Sequence, residues 1–77
     1  MSFMNTAPKD TKISCYIDFN NSLNRPTLIE AFGGERFIPD LQGMWLVVQW
    51  VEGNGWALNR DGTFVFHPAE WKKIDNA

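Results

Sequence analysis

The chain is 77 residues long, with seven basic and nine acidic residues for a net charge of −2, eleven aromatics and one cysteine. That length excludes more than one ordinary domain, and the lone Cys15, with no metal-ligand spacing around it, excludes an internal disulfide and a cysteine-based metal site. The charges are scattered, with Lys72-Lys73 the one basic pair and no acidic run, so the sequence offers neither the clustered cations that displace DNA counterions nor the dense acid of a DNA mimic.

A domain of this size buries only about 60% of the surface that its unfolded chain exposes. Its aromatics offset that thin core, because each buries about 150–250 Å², and oligomerisation or partner binding is a further source of stability. Residues 1–11 are polar, carry a proline and show no periodicity, which predicts a flexible N-terminal arm ahead of a single globular domain over 12–77. They lack the basic stretch and long apolar run of a secretory signal. The longest apolar run, Met44 to Val48, is far short of a membrane span. With a lone thiol as well, the default compartment is cytoplasmic.

From Lys12 to Phe19 the chain alternates. Ile13, Cys15, Ile17 and Phe19 point one way and Lys12, Ser14, Tyr16 and Asp18 the other, the period of a half-buried strand. Asn20-Asn21-Ser22 ends it as a turn. A short helix is expected near 26–32, with Pro26 in its first turn, Leu28, Ile29 and Phe32 as an apolar stripe, and Gly33-Gly34 as its stop. Glu35 to Pro39 reads as a short extended segment anchored by Phe37 and Ile38, and Asp40-Leu41-Gln42-Gly43 turns the chain into a three-stranded antiparallel meander over 44–51, 56–58 and 63–67. The first of these strands is apolar on both faces except at Gln49, which predicts a central strand. Glu52-Gly53-Asn54-Gly55 and Asn59-Arg60-Asp61-Gly62 supply residues that tolerate positive φ in the two turns. Pro68 ends the third strand and opens a single turn through Trp71. The fold class is therefore mostly β, or α+β by content.

Gly43, Trp56, Gly62, Phe66, Pro68, Trp71 and the Lys72 to Ile74 tail, together with the opening Tyr16-Ile17-Asp18-Phe19, resemble a Src-homology-three domain over roughly residues 13–74. The chain departs from that pattern where His67 separates Phe66 from Pro68, where Trp71 stands for the usual tyrosine and where the helix replaces the long first hairpin. The resemblance implies a partly open small β-barrel.

In such a barrel Tyr16, Trp56, Pro68 and Trp71 would line a shallow groove for an extended or polyproline-type ligand. Glu30 and Glu35, near Arg36 and Gly33-Gly34, would draw a basic partner. Trp45 and Trp50, inside the most apolar strand, are assigned to the core, whereas Trp56 and Trp71, flanked by turns and charges, stand equally for core and for contact. Cys15 falls on the apolar strand face and reads as a buried structural thiol. His67 has no nucleophile or ligand motif beside it and reads as the end of a strand. No acid–base or nucleophile constellation is present, so no catalytic residue, metal or cofactor is expected.

The expected function is non-catalytic protein binding by a stand-alone inhibitor or adaptor, such as a small phage or mobile-element protein that blocks a host enzyme. A homo-oligomer is compatible with it. The alternative is a single-stranded nucleic-acid binder in which Trp56, Trp71 and Phe64 or Phe66 stack bases, provided Lys12, Arg60, Lys72 and Lys73 gather on one face.

Overall fold

The structure is a computed structural model that describes residues 2–38 and 42–74. Six antiparallel strands form one sheet in the order β1-β6-β2-β3-β4-β5. They are β1 Ser2–Phe3, β2 Ile13–Asp18, β3 Gly43–Val51, β4 Gly55–Ala57, β5 Val65–Phe66 and β6 Glu70–Lys72, with one helix, α1, at Arg25–Phe32. The expected strand, helix and meander are all present. The third meander strand is shorter than 63–67, because the Asp61 carboxylate takes the Thr63 N–H at 3.0 Å and holds that residue in the turn.

β2 alternates between fully buried and half-buried residues along its length, as its sequence requires. β3 is long enough to serve two neighbours. Its first six residues pair with β2, from Gly43↔Asp18 to Val48↔Ile13, and its last three with β4. Ile13, Cys15, Ile17, Phe19, Leu28, Ile38, Val48, Trp56 and Phe66 make up the core. β1 and β5 are the two edges of the sheet among the described residues.

Three segments differ from expectation. Ser2 and Phe3, in the segment expected to be a free arm, pair with Trp71 and Glu70 of β6, and Met4 and Ala7 pack against the core. A two-residue strand carries no periodicity to read, so only its partner defines it. After Pro68, a strand stands where a turn was expected. The Ala69 N–H donates to the Tyr16 carbonyl at 3.0 Å, and Glu70–Lys72 then pairs with β2 on one side and β1 on the other. The segment expected to be extended before Pro39 instead forms a 3₁₀ turn at Glu35–Phe37, which buries Ile38. Pro39, Asp40 and Leu41 of the next expected turn lie outside the described residues.

α1 starts after Asn24 and stops at Gly33, whose φ of 84° is the left-handed conformation that glycine adopts without a Cβ penalty. Asn24 is fully buried and polar, and its side-chain amide behaves like a one-residue strand. The His67 N–H donates to Asn24 Oδ1 at 2.7 Å, while Asn24 Nδ2 donates to the His67 carbonyl at 3.1 Å and to the Asp18 carbonyl at 3.3 Å. The start of the helix is thereby fixed to the end of β5 and the end of β2 at once.

Candidate interaction surface

Residues directly opposite one another in an antiparallel ladder share a face. The registers Phe3↔Glu70, Tyr16↔Glu70 and Tyr16↔Trp45 therefore place Phe3, Glu70, Tyr16 and Trp45 in one row across four strands, on the face away from Cys15 and Ile17. The next row holds Lys72, Ser14 and Val47. Phe3, Trp45 and Val47 are 71%, 39% and 46% exposed. An antiparallel sheet with one face on its core ordinarily turns a polar face to water, and the first of these rows is instead aromatic at three of its four positions, with Val47 beside it.

The patch is ordered by its own contacts. The Tyr16 and Trp45 rings meet edge to face with centroids 5.7 Å apart and an interplanar angle of 61°, an arrangement worth about 0.5–1.5 kcal/mol beyond area. The Lys72 ammonium lies 4.2 Å from the Trp45 ring centroid, where the ring's negative face attracts it. Gly43 has a structural reason as well. A Cβ there would run into the Tyr16 ring and the Ile17 carbonyl, so its absence lets Tyr16 lie across β3.

The residues expected to form one groove divide between the two faces. Tyr16 is on the outer face. Trp56 is 8% exposed, lies opposite Trp50 and Phe66 on the inner side and belongs to the core. Its ring meets that of Trp50 at 5.2 Å and 70°. Trp45, assigned to the core from its apolar strand, is exposed instead. The apolarity of β3 on both faces reflects a surface patch on one of them. Trp71 is half-buried opposite Cys15, and its Nε1–H donates to Thr6 Oγ1 at 3.0 Å. Pro68 is half-buried. Glu30 and Glu35 are exposed on α1 and the 3₁₀ turn, and Glu35 makes a 3.5 Å ion pair with Arg25, a surface contact worth at most about 1 kcal/mol.

Sequence reasoning missed Phe3 and Val47 as surface contacts and Asn24 as the buried link. The available signal for Val47 was its two-residue spacing from Trp45, which puts both on one side of β3.

Cys15 is completely buried, and burial pushes its thiol up to about 12 from 9.0. Above pH 9 the unfolded chain therefore loses this proton while the folded chain keeps it. Stability is unaffected below that pH and falls as pH rises through 9 towards 12, by up to about 1.4 kcal/mol per pH unit. The expected result is no reaction with a thiol-specific reagent at pH 8 in the folded state and complete reaction in denaturant. His67 is exposed, and among the described residues no group of three or more His, Cys, Asp or Glu is placed to hold a metal ion. No helix of the described residues is long and apolar enough to cross a membrane.

Comparison with known proteins gives no match: no family model, no curated protein and no solved structure is significantly similar to this chain.

Proposed function

We propose that this chain is a non-catalytic protein-binding domain that engages its partner through the outer face of the sheet, acting as an inhibitor or adaptor by occupying the partner's surface. One observation carries the reading: the aromatic row of Phe3, Tyr16 and Trp45, with Val47 beside it, stands on the solvent side of strands whose other side is the core. Contiguous exposed apolar surface rimmed by polar groups marks interaction sites, and Trp and Tyr are the residues most enriched where binding energy concentrates. An SH3-like, partly open barrel is part of the same proposal. It is supported by β6 returning beside β2 and by β3 passing from β2 to β4 along its length.

The test is quantitative capture of partners from host lysate by wild type and by Trp45→Glu. Trp45→Glu is expected to lose at least tenfold of the captured protein while keeping a cooperative melting transition. Equal capture by both contradicts the outer face as the site.

A second reading has a specific observation in its favour. Lys9, Lys12, Lys72 and Lys73 gather at one end of the sheet: Lys72 pairs in register with Ser14, and Lys12 shares one groove with Lys73 and an adjoining cleft with Lys9. Lys9 lies 4.1 Å from the Trp50 ring centroid, as Lys72 does near Trp45. Arg60, in the turn between β4 and β5, is not among them. Single-stranded nucleic acid is the ligand of such a cation and ring combination. Four phosphate contacts predict roughly fiftyfold weaker oligonucleotide binding between 50 and 200 mM salt, and binding that does not change with salt removes this reading.

A further inference from the structure

Beside β6, on the side of Trp71 and away from the aromatic row, the N-terminal segment together with Lys73 and Ile74 flanks an open groove of about 410 Å³. That is within the roughly 300–1,000 Å³ of small-ligand sites. Trp71, Ile13, Ile74 and Pro8 supply its apolar walls, and Lys12 and Lys73 its charges. Trp71 has already given its indole N–H to Thr6 at 3.0 Å, so what it offers the groove is ring surface. Both lysines are exposed, and among the described residues neither pairs with a carboxylate. Among the described residues no acid lines the groove, and Asp10 is the one acid of the adjoining cleft.

We infer that this groove binds a small amphipathic anion, with its apolar body against Trp71, Ile74 and Pro8 and its charge between Lys12 and Lys73. The complementarity is of two kinds. The walls remove a hydrocarbon or aryl body from water, at about 25 cal/mol for each Å² covered. The two ammonium groups act as point charges on flexible stems, and with no carboxylate paired to them among the described residues they attract a negatively charged head. Decanoate is the simplest probe that joins such a head to an apolar body. The groove is separate from the outer-face patch, so its occupancy does not depend on that patch binding a protein.

The test is a titration of the full chain with decanoate, followed by the four tryptophan indole N–H signals in a nitrogen–proton correlation spectrum. The Trp71 signal is expected to shift saturably while the Trp45 signal stays in place. Decanol, with the same body and no charge, should bind at least about tenfold more weakly, the ratio expected when two surface charge contacts together contribute about 1.4 kcal/mol. The variant Lys12→Gln/Lys73→Gln, altered only at exposed side chains, should fold as wild type and bind decanoate no better than decanol. The inference is overturned if decanoate leaves Trp71 unmoved, if it moves all four indoles alike, if decanol binds as tightly, or if the lysine variant binds decanoate undiminished.

Discussion

Asn24→Leu is expected to unfold most of the protein at 25 °C, although leucine is close in size and a better helix former than asparagine. The substitution leaves the His67 N–H and carbonyl, both held by the Asn24 amide, without their partners. These bonds are part-buried, so each deprived group costs about 1–2 kcal/mol, the lower part of the range for a buried group, for a total of about 2–4 kcal/mol. The core of a domain this small rarely supplies more than about 3–5 kcal/mol. Urea titration followed by tryptophan fluorescence measures the loss directly. A midpoint within experimental error of wild type would mean that the helix start is held by its apolar contacts and not by this amide.

The second large effect separates two tryptophans that look alike in sequence. Trp56→Ala removes a ring packed between Trp50 and Phe66 in the core, at an expected cost of about 3–5 kcal/mol. That approaches the whole stability of the domain, so the variant should have little cooperative melting transition. Trp45→Ala removes an exposed ring whose main partners are Tyr16 and Lys72, at a cost of about 1–2 kcal/mol. For a chain of this length each kcal/mol moves the melting point by about 4–8 °C. Thermal melts of the two variants beside wild type check the contrast, and equal destabilisation would place Trp45 in the core.

β2 was legible because one strand face meets the core and the other meets water, so its alternation is complete from Ile13 to Asp18. The helix was legible from Pro26 and Gly33, whose backbone preferences are local. Trp45 was assigned to the core and Trp56 left between core and contact for one physical reason. Apolarity averaged along β3 and β4 says nothing about which alternate positions face inward, and that choice is set by the partners. Trp56 stands opposite Phe66, and Trp45 stands opposite Tyr16, which points away from Cys15. The role of Asn24 was out of reach because its partner His67 is 43 residues away and is engaged through its backbone, which carries no sequence signature. β1 escaped for a similar reason, being two residues whose conformation comes from the edge of β6.

The central claim is that the outer aromatic row carries binding and the inner tryptophan carries the fold. Cross-saturation from a bound, captured partner onto the isotope-labelled chain tests it most directly. The indole signal of Trp45 and the ring signals of Tyr16 and Phe3 should be attenuated, with Trp56 unaffected. Attenuation centred instead on Phe32, Phe37 and the α1 side, with Trp45 untouched, would contradict it.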